Sequence, residues 1–263
     1  MISPLSSNEV VGAIPTNRYP QVCSVLDSLR DIGKPVRAIW NLGPRLSVRE
    51  RPFPVGRVQM ADLATSPVES FAYTVLKRIF DLFSAVLGVV ILSPLLLAIA
   101  FLVKLSSPGP ILFRQERIGR HEKRFTMLKF RTMHCSSTAE SDTTWTTQCD
   151  PRCTAIGAAL RTYSLDELPQ LFNVIRGEMS LVGPRPERPH FVAKFRNEIQ
   201  RYDMRHCCQV GITGWAQVNG LRGDTSIPDR LQRDLQYVSN WSLAWDIRII
   251  VRTIAVLKNK NGY

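Results

Sequence analysis

The strongest pattern along the chain is an apolar run, Leu82 to Val103, "LFSAVLGVVILSPLLLAIAFLV". It carries no charge and, as a helix, is long enough to cross a bilayer. Two features argue against a simple span. Ser93-Pro94 sits near its middle, where the proline removes a backbone donor and crowds the preceding turn, so a bend or break is predicted. Both flanks are also basic, with Lys77 and Arg78 before the run and Lys104, Arg114, Arg117 and Arg120 after it. A spanning helix keeps its basic flank mainly on one side. The pattern therefore predicts a re-entrant helix-break-helix hairpin over 77–104 that enters and leaves on one face. The Ser93 hydroxyl is a candidate partner for backbone groups freed at the break. A proline-kinked span is the alternative.

Outside this run the periodicity is that of a soluble protein. Val22, Val25, Leu26, Leu29 and Ile32 recur at helical spacing, with Gly33 placed as a stop. "KPVRAIW" follows as a short strand, so residues 1–70 read as a partial soluble α/β module and linker, too small to bury a full core alone. After the hairpin, "PILFRQERIG" and "RFTMLKFRTM" alternate as strands. The Ser/Thr-rich stretch from Cys135 to Pro151 reads as a loop, and Ala155 to Tyr163 as a short helix. Phe191, Phe195 and Ile199 recur at i, i+4, i+8, predicting a helix over Pro189–Tyr202. Its opposite face carries Lys194, Arg196 and Arg201, which suits either a membrane surface or a core-facing helix with a solvated basic side. Ile227, Leu231 and Leu235 mark another helix. The last, with Trp241, Trp245, Ile247, Ile250 and Ile254 beside Arg248 and Arg252, suits an interface. The fold expected is α+β: a monotopic membrane protein with a re-entrant hairpin, amphipathic interfacial helices and a small mixed catalytic region over 75–263.

Composition sharpens this picture modestly. The chain has 263 residues and a formal net charge of +12. Such a charge suits an anionic partner: nucleic acid, anionic lipid or a phosphorylated small molecule. No zinc-finger spacing or aromatic RNA-binding signature appears. None of the six cysteines forms a C-x-x-C pair, and they read as reduced thiols in a cytosol-facing protein.

The candidate chemistry centres on "SLDELPQLFN", Ser164 to Asn173. Ser-x-x-Glu is a capping-box pattern. With Ser164 as cap, however, Pro169 falls where its N–H should already be bonded. Starting the helix at Asp166 puts the proline in the first turn, where its missing donor costs little. That places Asp166 and Glu167 at a helix start facing an anion. One carboxylate can attack phosphorus, and a Mg²⁺ ion held by both would neutralise diphosphate charge. Lys129, Arg131, Arg161 and Arg185 are candidate phosphate clamps, the last held on the stiff "GPRP" loop. In "GITGWAQVNG", Trp215, Gln217 and Asn219 could meet a base or a sugar. His190 and His206 are candidates for proton transfer.

Taken in order, "KRIFD", "KFRTM", "SLDELPQLFNV", "MSLVGPRPERPHFV", "GITGWAQVNG", "RGDTSI" and "NWSLAWDIRII" resemble the bacterial sugar transferase family of monotopic phosphoglycosyl transferases. Within it they are most similar to the exopolysaccharide polyprenyl glycosylphosphotransferases. The similarity covers roughly Val75 to Tyr263. It implies transfer of a sugar 1-phosphate from a UDP-sugar, with glucose expected, to undecaprenyl phosphate, with release of UMP. It further implies that Asp166 is the nucleophile of a covalent aspartyl-phosphosugar intermediate. Glu167 would be its Mg²⁺-linked partner, Arg185 would bind phosphate, and Lys129, Arg161 and Asp234 match polar positions of the family. The implied location is the bacterial inner membrane, with the active site on the cytoplasmic face and membrane lipid as a partner. No nucleic acid is expected, and self-association is left open. Ala158 and Cys207-Cys208-Gln209-Val210 depart from a basic pattern in the family, which leaves open a catalytically weakened relative acting as an interaction protein.

Overall fold

The computed structural model describes residues 2–3, 10–13, 36–40, 53–55, 58–62, 67–71, 73–134, 152–223 and 225–258. Five short strands form the N-terminal sheet: β1 Ile2–Ser3, β2 Val10–Ala13, β3 Val36–Trp40, β4 Phe53–Val55 and β5 Val58–Asp62. Their order is β1-β2-β3-β5-β4. The strand read from "KPVRAIW" is β3. It runs parallel to β2 and antiparallel to β5. A parallel pair needs a crossover between its strands. The helix expected around residues 22–32 falls in that connection and lies outside the described residues, as does the 135–151 loop.

The apolar run forms helix α1, Arg78–Ser106, preceded by a wider π turn over Tyr73–Lys77. The predicted interruption at Ser93-Pro94 is absent: the helix continues through Pro94. Pro94 has no N–H to give to the Val90 carbonyl four residues earlier. Ser93 Oγ donates to that same carbonyl at 2.8 Å, so the acceptor is satisfied and the helix need not open.

One face of α1 is buried near both ends, through Asp81 and Ala85 and through Leu96, Ile99 and Val103, with Val89 and Leu92 partly buried between them. Steps of three and four residues keep these positions on one stripe. The stripe packs on a β-hairpin made of β6 Leu112–Ile118 and β7 Arg124–Phe130, and on the two short helices α2 Ala155–Thr162 and α3 Gln170–Arg176. Ala85 joins Phe125, Met127, Leu171 and Val174, while Leu96, Ile99 and Val103 join Phe130 and Leu160. The opposite face is apolar and exposed, including Phe83, Val90, Ile91, Leu97 and Phe101.

Both ends of α1 are tied to the same body. At the start, Arg78 donates to the Val174 and Ile175 carbonyls at 2.6 and 2.7 Å. Lys77 is buried and pairs with Asp246 at 2.8 Å and Asp81 at 3.4 Å. At the far end, Arg131 donates to the carbonyls of Val103, Ser107 and Pro108. A buried guanidinium here satisfies carbonyls that a helix end leaves unpaired.

The remaining elements complete the body: β8 Ser180–Val182 pairs in parallel with β9 Gly211–Thr213. A Cβ on Gly183 would meet the Gln209 carbonyl at 2.1 Å, so only glycine lets the two segments approach. Helix α4 is Pro189–Glu198. Its apolar face, through Val192 and Phe195, packs on Ile118, Tyr202 and Leu231. Of the two readings of this helix, the structure gives the core-facing one. Helices α5 Trp215–Val218, α6 Ile227–Asn240 and α7 Leu243–Lys258 follow. In α7, Asp246 and Ile249 are buried whereas Ile247, Val251 and Ile254 are exposed.

Candidate active site

The acidic pair does not begin a helix, contrary to the reading from Pro169. Asp166 and Glu167 lie in a 3-10 turn, Leu165–Glu167, and α3 starts only after Pro169. Ser164 takes a left-handed conformation, φ 54°, and its side chain makes no capping bond. This reverses the chain after α2 and turns both carboxylates inward. The turn consumes local donors, with Glu167 N–H on the Ser164 carbonyl and Leu168 N–H on the Leu165 carbonyl. The charge that faces the acids therefore comes from side chains.

Glu167 is the anchored member. Its Oε1 accepts from Lys129 Nζ at 2.7 Å and from Arg185 Nη2 at 2.7 Å, and its Oε2 from Arg185 Nη1 at 3.4 Å. Burial alone would push its carboxyl up. Arg185 and Lys129 outweigh that and hold it well below the usual carboxylate range. Lys129 comes from β7 and Arg185 from the proline-flanked loop after β8, so three separate elements converge on one carboxylate.

Asp166 is the open member. It is buried, and its Oδ1 accepts no hydrogen bond from the described residues. Burial raises its pKa; Lys129 opposes the rise, Glu167 adds to it, and the charges of Arg161 and Arg185 oppose it as well. A buried acceptor without a donor is costly, and here it sits within the field of three cations. Arg161 is held close by Thr132 Oγ1 at 2.9 Å and Cys153 Sγ at 3.2 Å. One carboxylate is thus locked in ion pairs while its neighbour keeps an oxygen with no hydrogen bond from the described residues.

The other expected site residues are distributed differently. Arg131 does not join the pair: its guanidinium caps the end of α1. Asp234 also points elsewhere, buried against Arg205 at 2.8 Å. Trp215 N–H donates to Gln236, and its ring packs against Trp245 and under Arg252. The Gln217 amide donates to the Ile212 carbonyl, and Asn219 closes α5 through the Trp215 carbonyl. These bonds tie the segment to itself and to α6 and α7.

His206 is buried and neutral. Burial, reinforced by Arg205 and Arg196, lowers its pKa to about 3; His190 is exposed on α4. Cys207 and Cys208 are core residues, so their departure from a basic pattern falls on packing positions. Sequence reasoning passed over Gln170. It is buried at the start of α3, and its amide nitrogen has no hydrogen-bond partner among the described residues. No local signal pointed to it, since Asp166 lies in the turn before α3 and no helical spacing joins the two.

Two groupings bear on a metal. Glu122, Asp203 and His206 bring potential ligand atoms within 4.8 Å of one another. Arg196 already supplies the cation there, at 2.7 Å from both Glu122 and Asp203. At the acidic pair, the unpaired Asp166 Oδ1 is a suitable hard-oxygen ligand. Glu167 Oε2, whose bond from Arg185 is the long one at 3.4 Å, is the oxygen of that side chain better able to join it.

A family model described as bacterial sugar transferase matches residues 72–260. A UDP-glucose:undecaprenyl-phosphate glucose-1-phosphate transferase of Xanthomonas campestris pv. campestris is 45% identical over 215 residues, covering 80% of this chain and 44% of the relative. A UDP-N-acetylgalactosamine-undecaprenyl-phosphate N-acetylgalactosaminephosphotransferase of Aeromonas hydrophila is 38% identical over 225 residues, covering 85% and 52%. A UDP-glucose:undecaprenyl-phosphate glucose-1-phosphate transferase of Caulobacter vibrioides is 42% identical over 202 residues, covering 75% of each chain. The chain spans about half the length of the first two of these relatives.

Proposed function

The chain belongs to the bacterial sugar transferase family, and from that premise we propose that it transfers glucose 1-phosphate from UDP-glucose to undecaprenyl phosphate. The observation that carries this reading is the division of labour in the acidic pair. Glu167 is braced by Lys129 and Arg185, and Asp166 keeps an unbonded buried oxygen.

The proposed reaction has two balanced steps. An Asp166 carboxylate oxygen attacks the phosphorus that bears the sugar. The bond from that phosphorus to the oxygen bridging the diphosphate breaks, and UMP leaves with the electron pair. A phosphate oxygen of undecaprenyl phosphate then attacks the same phosphorus. The bond to Asp166 breaks, which restores the carboxylate and releases the lipid diphosphate sugar. Arg185 and Lys129 lie beside Asp166, where charge on the diphosphate would otherwise repel a carboxylate. Arg161 adds a third positive charge. Mg²⁺ would be held by Asp166 and would neutralise diphosphate charge when bound.

The membrane arrangement is part of the proposal. Arg78 and Arg131 fasten opposite ends of α1 to one body, and the helix buries residues near both ends on that body. Two ends fastened to one body favour a helix that keeps both on the same side of a bilayer. The arrangement supports monotopic attachment, with the exposed apolar face of α1 and the Ile247, Val251 and Ile254 face of α7 in lipid. The lipid substrate would meet the site from the inner, cytoplasmic face.

The test is UMP release from proteoliposomes containing undecaprenyl phosphate and Mg²⁺, with UDP-glucose and UDP-N-acetylgalactosamine compared. Release with UDP-glucose, lost in Asp166→Asn, is expected. A preference for the amino sugar would overturn the glucose assignment. Equal rates in wild type and Asp166→Asn would overturn the nucleophile.

A further inference from the structure

In the loop that carries Arg185, four successive carbonyls are bonded by three separate segments. Pro184 O accepts from Gly211 N–H at 2.9 Å, and Glu187 O from Ile118 N–H at 3.0 Å. The two between them are held by arginine side chains. Arg185 O accepts from Arg205 Nη2 at 3.0 Å, and Pro186 O from Arg117 Nη1 at 2.9 Å. From this we infer that Arg205 and Arg117 are positioning residues that aim the Arg185 guanidinium at Glu167.

The surroundings fit a positioning task better than a stabilising one. Arg205 is buried and held on three sides: Tyr202 hydroxyl at 2.8 Å, Asp234 at 2.8 Å and the Arg185 carbonyl. Glu187 stands 3.8 Å from Arg117 and 3.5 Å from Arg230. Buried ion pairs contribute little net stability, because removing both charges from water is expensive. An apolar pair would serve packing as well. An apolar pair could not donate to the carbonyl of Arg185 itself. Pro184 and Pro186 limit the loop further by fixing their own φ. Small displacements of a catalytic cation are costly in rate, so the clamp has a direct bearing on the site. The inference rests on the reading of Arg185 as part of that site.

Two variants of the full chain in lipid test it. Arg205→Lys keeps the charge opposite Asp234 but cannot reach both the Tyr202 hydroxyl and the Arg185 carbonyl. The double change Arg205→Met with Asp234→Leu removes the pair together and leaves no lone buried charge. Two readouts are used. The first is the rate at which phenylglyoxal modifies Arg185, followed by mass spectrometry of its peptide, which does not depend on turnover. The clamp predicts severalfold faster modification in both variants, measured well below the Tm of each. Unchanged labelling in a folded variant overturns the positioning role. The second is kcat/KM for UMP release. A loss of about a hundredfold is expected, the size typical for one preorganised donor, with little further loss when Arg185→Ala is added. Full activity, or a loss that multiplies with that of Arg185→Ala, overturns it. A wild type that releases no UMP from any nucleotide sugar counts against the proposed reaction, and the labelling readout still decides the clamp.

Discussion

Ser93 Oγ donates to the Val90 carbonyl at 2.8 Å, and Val90 is the residue whose acceptor Pro94 leaves unserved. This one bond lets an apolar helix pass through a proline with its backbone satisfied, which matters most in lipid, where no water can substitute. Ser93→Ala is expected to lower stability in lipid by about 1–3 kcal/mol, the cost of leaving a buried polar group unpaired. Thermal unfolding of both proteins in the same bicelles measures it. A neutral result would mean that another group serves Val90.

The Glu167 brace makes a kinetic prediction. Glu167→Gln removes the charge that Lys129 and Arg185 share. A fall in kcat/KM for UMP release of roughly 10²–10³-fold is expected, in line with loss of a preorganised electrostatic element. Combined with Arg185→Ala, the losses should fall well short of multiplying, because both changes dismantle one ion pair.

Arg131 offers the opposite signature. Its three bonds go to carbonyls at and just beyond the end of α1. Arg131→Ala should cost stability, about 1–3 kcal/mol for the stranded acceptors, and leave KM for the nucleotide sugar unchanged in the folded fraction. A raised KM with unchanged Tm would return Arg131 to the phosphate site.

His206 sets a pH dependence with a definite sign. Its folded pKa is lowered to about 3 from an ordinary value near 6.5, so between these limits the unfolded chain binds more protons. The stability it permits is fully present above pH ~6.5 and declines as pH falls toward 3. Between pH 7.5 and 5.5 the wild-type Tm should fall, and His206→Gln, which does not titrate there, should flatten that slope. The same slope in both proteins would assign the acid sensitivity to other groups.

Membrane attachment is checked on the two faces of α1. Val90→Asp with Leu97→Asp places charges on the exposed apolar face, each costing about 2.5–3.5 kcal/mol at the centre of a bilayer. Weakened flotation with liposomes and a preserved soluble fold are expected. Ile99→Ala, on the buried stripe, should instead lower Tm by the equivalent of about 2–5 kcal/mol and leave flotation intact.

Much of this molecule was legible in order along the chain. The charge-free run, the strand pair over 112–130, helices α2, α4, α6 and α7, and the acidic pair are all local patterns. They depend on periods of two and 3.6 residues and on a few neighbouring side chains. The Ser93 partnership was also readable, since proline and serine act on the same turn. The helix start expected at Asp166 from Pro169 fails because Ser164 is left-handed and the acids sit in a 3-10 turn, a reversal that no local pattern signals.

The sequence by itself determined which segments are apolar, which can pair as strands, and which charged groups are available to the chemistry. It could not rank those charged groups. Arg131 and Arg185 are equivalent cations on paper, and only the tertiary structure sends one to a helix end and the other to Glu167. It likewise turns Asp234 toward Arg205 and away from Asp166, and decides which stripe of α1 is buried. The reason is physical: a long charged side chain goes to whichever acceptors distant segments bring within reach, and no local periodicity encodes those distances.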